Sequence, residues 1–495
     1  MKAVEETFSR NYDILDERDL IEGFSRYQIC RRKSDGTVYY FLREPVLSEP
    51  SRSILDMMKE NTLKGISTGS PSMGLDSRIE ELAKNMNLDL GSDQKKYIAY
   101  YFSRDIFGLD RIDSLLRDGD IEDITCDRSG LSIYIYHRKY GYIPTNIMFE
   151  NETELSRFVK MISQKSGKSL SLSTPVIDAN LPDGSRLQAS LGKEVTTNGS
   201  SFTIRKFRSV PFSPVDLISI GSTSPRIFAY LWILSEYGSN IVIVGGTASG
   251  KTTFLNAILL FIPPEKKIIT IEDTKELNLF HENWVSTVTR PGYGIPGPGG
   301  KVEGEIDMFD LLTISLRHRP NYIVLGEVRG REAFTVFQAM SVGRYGYTTF
   351  HADDVNTFVH RLEAKPINIP RNLIISIDAI VLLETFQGKS GTERRVKSIS
   401  EIKEIDPLTD DLIMNEVFSF NGNDYDTSGF SYVLNRIAER EGKTEAEMEQ
   451  ELLVREKILA KLQEKHTHDF REMARIIRRF YKARESVLHD LGIEE

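Results

Sequence analysis

The sequence predicts an α/β fold built on a doubly wound, mainly parallel sheet, with an α+β N-terminal domain before it and a helical C-terminal subdomain after it. Two observations carry this prediction. Short apolar runs, of the kind buried on both faces of a parallel sheet, alternate with helical patterns such as 310–319 and 332–342. Each run also leads into glycine, acidic or imidazole residues. The runs are 241–244, 267–271, 322–325 and 347–350.

Length and composition divide the chain into several domains. Its 495 residues exceed what one hydrophobic core supports, and stretches rich in proline, glycine and serine mark the boundaries. A hairpin formed by 27–33 and 37–42 is predicted around the turn at 34–36. The predicted segments are an N-terminal lobe (1–75), the α+β domain (76–210), a hinge or linker (211–225), the α/β domain (226–405) and the helical subdomain (406–495).

Charge and cysteine content exclude several classes of protein. A net charge of −9 offers no general attraction to polyanions, so no nucleic-acid partner is expected. Two cysteines cannot form a disulfide framework or a four-thiolate zinc site, and they indicate a reducing compartment. The apolar segment 227–235 is too short to span a membrane, and the N-terminus does not resemble a signal peptide. We expect a cytoplasmic protein that contacts a membrane only through a partner.

The first apolar run of the α/β domain leads into a glycine-rich segment with the spacing Gly-x-x-x-x-Gly-Lys-Thr, which is that of a phosphate-binding P-loop. Its backbone N–H groups would close on phosphate oxygens, Lys251 would reach the β- and γ-phosphates of ATP, and the Thr252 hydroxyl could ligate Mg²⁺. A helix predicted over 253–260 would point its dipole at the same anion. A glycine-rich turn that binds nothing is the alternative, but strand, spacing and helix all agree. The predicted nucleotide-binding residues are Gly245, Gly246, Thr247, Ala248, Ser249, Gly250, Lys251, Thr252 and Thr253.

The other apolar runs lead into Glu272, Glu327 and His351. Ligands of open α/β sheets bind outside the carboxyl ends of the strands, so we expect these side chains at the edge that carries the P-loop. ATP hydrolysis needs one carboxylate to orient or deprotonate water and another to hold the Mg²⁺ shell. Glu327 is predicted to act on the water or the metal and Glu272 to share that work, and the sequence does not decide which is the general base. Taken alone, each carboxylate is better explained as a helix-capping or solvated group, and the P-loop reverses that preference.

Four segments of the α/β domain, in order and spacing, resemble the Walker A, Asp, Walker B and His boxes of the secretion ATPase superfamily. Its members include the type II secretion, type IV pilus and archaellum motor ATPases. Segments 108–117, 121–124, 183–186 and 203–205 resemble the N-terminal domain of that family, and the tail 430–490 resembles its archaeal branch. The four boxes are 245–252, 272–274, 316–333 and 349–353.

The resemblance implies a RecA-like P-loop NTPase domain in a cytoplasmic homo-oligomer, a hexameric ring, at the inner face of the cell membrane. It implies a polytopic membrane platform protein as partner and ATP bound between two domains, with Arg186 and Arg205 approaching the γ-phosphate. His351 would sense that phosphate, and Arg317 joins the candidate catalytic residues. Each arginine could instead form a surface salt bridge, and the histidine could be structural. Arg344 stands where the family commonly has a histidine, and its role is open.

The sequence thus favours an ATP hydrolase that powers a type IV pilus-, archaellum- or type II secretion-like machine, without deciding among the three. A nucleic-acid-translocating motor of the conjugation or packaging type is the first alternative, although the acidic composition lacks an evident basic stripe. A GTP-dependent switch would call for a guanine-recognition element, and none is visible. A nucleotide-binding scaffold without catalysis is the remaining alternative.

Overall fold

The computed structural model of the chain describes residues 11–63, 75–207, 210–290, 292, 302–388 and 391–493. The chain folds into two compact units, Met1–Phe207 and Arg208–Glu495. Within the described residues, no helix is long and apolar enough to cross a bilayer.

The N-terminal unit is built on a nine-stranded sheet in the order β1-β2-β3-β6-β5-β4-β9-β8-β7. The predicted hairpin is present as β2 and β3, and β1, which the sequence did not predict, pairs antiparallel with β2. Tyr40 of β3 pairs with Thr145 of β6, so the predicted N-terminal lobe and α+β domain share one sheet. The strands are β1 Tyr12–Ile21, β2 Ser25–Arg32, β3 Val38–Arg43, β4 Ile121–Cys126, β5 Ser132–His137, β6 Gly141–Met148, β7 Val176–Asn180, β8 Arg186–Ser190 and β9 Ser201–Arg205.

Helices pack on this sheet and beside it. The amphipathic helix α5 buries Leu155, Phe158 and Ile162 in the core of the sheet, and Asn151 caps it by accepting from the Glu154 N–H. Three earlier helices form a separate small core around Ile54, Ile79 and Ile98. The helices are α1 Glu49–Leu63, α2 Leu75–Asn85, α3 Ser92–Ile106, α4 Asp113–Arg117 and α5 Glu152–Lys165.

The C-terminal unit holds a second nine-stranded sheet, in the order β12-β11-β13-β14-β10-β15-β16-β17-β18. The ladder from β12 to β15 is parallel, as predicted, and the strands from β15 to β18 are antiparallel. The strands are β10 Ile241–Gly245, β11 Ile268–Glu272, β12 Trp284–Val288, β13 Tyr322–Leu325, β14 Tyr345–His351, β15 Ala379–Gly388, β16 Gly391–Ile405, β17 Leu412–Phe420 and β18 Tyr425–Thr427.

Both faces of this sheet are covered by helices. Alternate residues of β10 enter different cores: Ile241 and Ile243 join one, and Val242 and Val244 the other. All four side chains are fully buried, which explains why the run is apolar throughout instead of alternating. The first helices are α6 Pro214–Ser219, α7 Pro225–Tyr237, α8 Lys251–Ile258, α9 Met308–Leu316, α10 Glu332–Ser341, α11 Val355–Glu363 and α12 Arg371–Ile374.

Two predicted segment limits are wrong. The segment 211–225 is not a plain linker, because Ser213 starts α6 with a capping box and Val215 and Leu217 are buried in the core of the C-terminal unit. The helical subdomain does not start at 406, because β17 and β18 continue the sheet to Thr427. The terminal helices are α13 Tyr432–Glu441, α14 Glu445–Glu464, α15 Phe470–Lys482 and α16 Arg484–Leu491.

A buried arginine ties the terminal helices to the helix that precedes the P-loop strand. Arg455 of α14 is 1% exposed and lies over the rings of Trp232 and Phe480. It forms ion pairs with Glu236 at the end of α7 and with Glu451 one turn earlier. A charge this deeply buried requires such partners, since an unpaired ion in a protein core is strongly destabilising.

We therefore expect Arg455→Ala to destabilise the C-terminal unit by about 3 kcal/mol, because Glu236 loses this buried partner while Glu451 keeps its ion pair with Arg484. Thermal unfolding followed by circular dichroism measures the loss. Lys457→Ala, at an exposed position of the same helix, is the matched control. Equal melting temperatures for the two variants would contradict this role of Arg455.

Candidate phosphate-binding site

The turn between β10 and α8 is shaped by its glycines. A Cβ on Gly245 would lie 2.6 Å from the Ser249 hydroxyl and 2.7 Å from the Leu383 carbonyl oxygen, so only glycine fits there. Gly250 has a φ of +89°, which also favours glycine. The helix α8 begins at Lys251, two residues earlier than predicted, and a short 3₁₀ turn, Leu259–Phe261, follows it. The turn thus closes tightly and places a helix N-terminus directly behind Gly250.

The Lys251 ammonium lies inside this turn. Its Nζ donates to the carbonyl oxygens of Gly245 (2.9 Å) and Gly246 (2.7 Å). Burial lowers the pKa of Lys251, while the carboxylates of Glu327, Glu276 and Asp353 oppose that shift. Carboxylates from three separate segments therefore act electrostatically on the lysine that the P-loop motif singles out.

The predicted site residues follow strands that lie side by side. Register pairs His351, the last residue of β14, with Gly245, and β13 lies on the far side of β14 with β11 beyond it. Because parallel strands are about 4.8 Å apart, the end of β11 is on the order of 14 Å from the P-loop strand. The expectation that Glu272, Glu327 and His351 follow strands ending at the P-loop edge is therefore confirmed.

Glu272 is a buried carboxylate, and only one of its two oxygens accepts hydrogen bonds from the described residues. Its Oε1 accepts from the backbone N–H groups of Glu276 (2.9 Å) and Leu277 (2.8 Å). Its Oε2 is buried and has no hydrogen-bond partner among the described residues. Burial raises the pKa of Glu272 to about 7, and the two backbone N–H groups only partly offset this. A carboxylate with such a pKa and a free oxygen is suited to accept a proton near neutral pH.

Glu327 has a different environment. It is more exposed than Glu272, and its Oε2 accepts from the Arg329 guanidinium at 2.5 Å. The loop that carries it is braced by Glu332, whose Oε1 accepts from the N–H groups of Arg329 (2.8 Å) and Gly330 (2.7 Å). Arg329 and Glu332 had no predicted role, although both fall within the third box, 316–333.

Backbone and side-chain bonds connect β14 to this loop. The Thr349 hydroxyl donates to the Gly326 carbonyl (2.7 Å), and the Val328 N–H donates to the Thr349 carbonyl (3.0 Å). Just beyond β14, the Asp353 carboxylate oxygen lies 3.1 Å from where a Cβ on Gly246 would be. Asp353 thus faces the P-loop directly, which only its place in the fourth box could have suggested.

Arg317 is not brought to this edge within one chain. It follows α9 and precedes β13, so it lies at the amino end of the parallel strands, opposite the P-loop. The neighbouring His318 carbonyl accepts from Lys267, which itself precedes β11. Arg344 lies at the same amino end and donates to the Pro320 carbonyl (3.3 Å).

Arg186 and Arg205 belong to the N-terminal unit, where they sit opposite each other on β8 and β9. Arg186 forms a two-pronged pair with Asp178, with Nε–Oδ1 and Nη2–Oδ2 distances of 3.1 and 2.5 Å. Arg186 therefore forms the surface salt bridge that was the alternative to a role at the γ-phosphate, with Asp178 as its partner. Arg205 lies opposite Asp123 of β4 and opposes the rise in the pKa of that carboxyl that burial produces.

Metal-binding capacity at the site is limited to a few oxygens. The described ranges contain no group of three or more His, Cys, Asp or Glu side chains arranged to hold a metal ion. Mg²⁺ in phosphoryl-transfer sites needs only one or two protein oxygens, since substrate phosphates and water complete its shell. A hydroxyl at Thr252 and a carboxylate at Glu327 fit that requirement, given that Glu327 acts electrostatically on the adjacent Lys251.

The parallel sheet carries a glycine turn with a lysine at its carboxyl edge, and carboxylates from neighbouring strands flank that turn. This arrangement is typical of P-loop nucleotide-binding proteins. Residues 115–415, more than half of the chain, match the profile of the Type II/IV secretion system protein family. The chain belongs to this family of secretion ATPases, which confirms the resemblance found in the four boxes.

The chain is also similar to individual proteins of known sequence or structure. A protein of the archaeon Methanocaldococcus jannaschii is 37% identical over 416 residues, which cover 83% of this chain and 74% of that protein. The type IV secretion system protein VirB11 of Bartonella henselae is 31% identical over 354 residues, covering 62% of this chain and 94% of that protein. Among solved structures, the Yersinia pseudotuberculosis ATPase DotB matches over 76% of this chain and 93% of that chain, with 15% identity and a TM-score of 0.43.

The raised pKa of Glu272 predicts a pH-dependent stability. The folded state holds a proton on this carboxyl up to about pH 7, whereas the unfolded chain releases it near pH 4.5. The free energy of unfolding therefore falls as pH rises from 4.5 to about 7. The fall is roughly 3 kcal/mol, because each unit of pKa difference corresponds to ~1.4 kcal/mol. We expect Glu272→Gln to melt above wild type at pH 8 and close to it at pH 4.5. Glu265→Gln, at an exposed position before β11, is the matched control. A constant difference across pH would contradict the assignment.

Proposed function

We propose that the chain is an ATP hydrolase that powers assembly or secretion by a type IV pilus-, archaellum- or type II secretion-like membrane machine. The observation that carries the proposal is the position of Lys251. It lies in a glycine turn at the carboxyl edge of a parallel sheet, within electrostatic reach of Glu327 and Asp353 and on the same edge as Glu272. Membership of the secretion ATPase family supports it.

Binding is the first step. The triphosphate occupies the turn 245–252, where the backbone N–H groups and the N-terminus of α8 face it. Lys251 leaves the carbonyl oxygens of Gly245 and Gly246 and turns to the β- and γ-phosphates. Thr252 and Glu327 would hold Mg²⁺, which would neutralise charge on the phosphate oxygens.

Hydrolysis then requires a base for the attacking water. Glu272 fits this role better than Glu327, because its pKa of about 7 and its unpartnered Oε2 allow it to take up a proton at neutral pH. Glu327 is already held by Arg329, which suits a carboxylate that stays ionised beside a metal. The two carboxylates therefore divide the work that the sequence left shared between them.

The remaining residues respond to the γ-phosphate. His351 follows the strand next to the P-loop, where it would sense that phosphate and transmit its loss. We propose that Arg186 and Arg205 supply positive charge to the transferring phosphoryl group, for which Arg186 would exchange Asp178 for phosphate. Arg317, at the opposite edge of the sheet, would act only from a neighbouring subunit.

The assembly that we propose is a homo-oligomer, a hexamer of RecA-like domains, at the cytoplasmic face of the membrane. Its partner would be a polytopic platform protein, so that the chain itself needs no membrane span. A relative named as a type IV secretion system protein supports a secretion setting for this chain.

Substitutions at the site test the hydrolase directly. Glu272→Gln should lower kcat roughly a hundredfold or more while ADP still binds, because it removes the base and leaves the phosphate-binding turn unchanged.

Lys251→Ala should weaken ADP and ATP binding together. In the wild type, kcat should rise as pH passes through about 7, where Glu272 loses its proton. Phosphate release in the steady state and ADP titration measure these effects, with the exposed Glu265→Gln as the control. Full activity of Glu272→Gln would show that another group is the base.

Stimulation distinguishes the secretion motor from a nucleic-acid motor. We expect hydrolysis to increase with a membrane platform protein in vesicles and to be unchanged by single- or double-stranded DNA. Stimulation by DNA alone would favour the translocating motor instead.

A further inference from the structure

The P-loop is contacted from its other side by an arginine to which neither the sequence motifs nor the family resemblance assigns a role. Arg394 lies on β16, in the antiparallel part of the sheet. Its Nε donates to the carbonyl oxygen of Ala248 at 2.7 Å. Its Cδ lies 3.7 Å from where a Cβ on Gly250 would be. Arg394 therefore packs against the loop from the β15 side of β10, whereas Glu327 approaches from the β14 side.

The residue that Arg394 holds is itself unusual. Ala248 has a φ of +59°, in the left-handed region that costs energy for any residue with a Cβ. A loop built on such a residue persists only when surrounding contacts hold it there. Inside the loop, the Ser249 hydroxyl donates to the Gly246 carbonyl (2.9 Å) and Lys251 donates to two further carbonyls.

These supports respond differently to a phosphate. The Lys251 bonds compete with the ligand, because the same ammonium is the donor that reaches the phosphates. The Arg394 bond need not be given up, because a guanidinium carries five N–H donors and Nε can stay on the Ala248 carbonyl whichever acceptor the Nη groups face. Arg394 can therefore keep the loop in shape at the moment when Lys251 turns away from it.

The strand that carries Arg394 is fixed at this point. The Ser222 hydroxyl donates to the Arg394 carbonyl (2.6 Å), and the Val396 N–H donates to the Ser222 carbonyl (2.8 Å). The Tyr425 hydroxyl adds a bond to the Val396 carbonyl (3.0 Å). With its backbone held from two directions, the Arg394 side chain reaches the loop from a preset position.

We propose that Arg394 is a positioning residue for nucleotide: it braces the left-handed Ala248 so that the P-loop keeps its phosphate-accepting shape. The proposal rests on the proposed function, since it takes the β-phosphate of a nucleoside diphosphate as the ligand of the loop. It concerns binding and not the chemical step, so it predicts an effect on affinity with turnover preserved.

ADP binding tests the brace without requiring hydrolysis. Arg394→Ala should raise the Kd for ADP and the KM for ATP about tenfold, the factor expected for one charge-assisted hydrogen bond, with kcat within about twofold of wild type. Arg394→Lys, which keeps a donor on a long side chain, should recover part of the affinity. Lys397→Ala removes a cation from the same strand that pairs with Glu384, and it should leave binding unchanged. Wild-type affinity in Arg394→Ala, or a fall in kcat without a change in KM, would overturn the proposal.

A double substitution separates bracing from direct contact with nucleotide. Ala248→Gly removes the steric cost of the left-handed conformation, so the brace should matter less in that background. We expect Arg394→Ala to cost less than about threefold in affinity when glycine is at 248. An equal, tenfold loss in both backgrounds would show that Arg394 contacts the ligand itself and would overturn the positioning role.

Hydrogen exchange of the nucleotide-free protein completes the test. The N–H groups of 246–250 should exchange faster in Arg394→Ala than in wild type, with β10 and α8 unchanged, and equal exchange would overturn the brace. A wild type that binds ADP but does not hydrolyse ATP would contradict the proposed function and leave the brace standing, so the two failures are distinguishable.

Discussion

The structure around the P-loop depends on one constraint: a half-buried ammonium needs oxygen acceptors. Lys251 satisfies it with the carbonyl oxygens of its own loop and with the field of carboxylates from neighbouring strands. In a parallel sheet the carboxyl ends of neighbouring strands meet at one edge, which brings these carboxylates towards the lysine. Glycine at 245 and 250 allows the turn to close, so that its carbonyl oxygens reach the ammonium. The apolar character of β10, buried on both faces, follows from the same arrangement.

Features that a short segment determines were predicted correctly. The glycine turn and the buried strands each occupy such a segment, and both are present. Features that depend on pairing between distant segments were missed. Strands β15 to β18 carry charged residues such as Glu401, which is buried only because Tyr230, Ser431 and the Tyr432 N–H satisfy it. No local pattern indicates partners so far apart in the chain, and the limit at 406 was misplaced for that reason.

The candidate site shows the same division. The positions of Glu272, Glu327 and His351 followed from strand order, but their environments did not. Burial of Glu272 and the pairing of Glu327 with Arg329 separate two carboxylates that look alike in the sequence. Arg317 lies in the same box as Glu327, 316–333, but it precedes β13 and therefore lies at the amino end of that strand, away from the P-loop. Arg394 belongs to no motif, because a single arginine on a hairpin becomes meaningful only when the loop that it touches is known.

A crystal structure of the full chain with Mg²⁺ and a non-hydrolysable ATP analogue would show whether Lys251 and its glycine turn bind the triphosphate. We expect the β- and γ-phosphates in the turn 245–252, with Lys251 Nζ moved from the Gly245 and Gly246 carbonyls to the phosphates. We also expect Glu272 to face a water in line with the γ-phosphate. An analogue bound elsewhere, or Lys251 still bonded to its own loop beneath a bound triphosphate, would contradict the proposed role of Lys251.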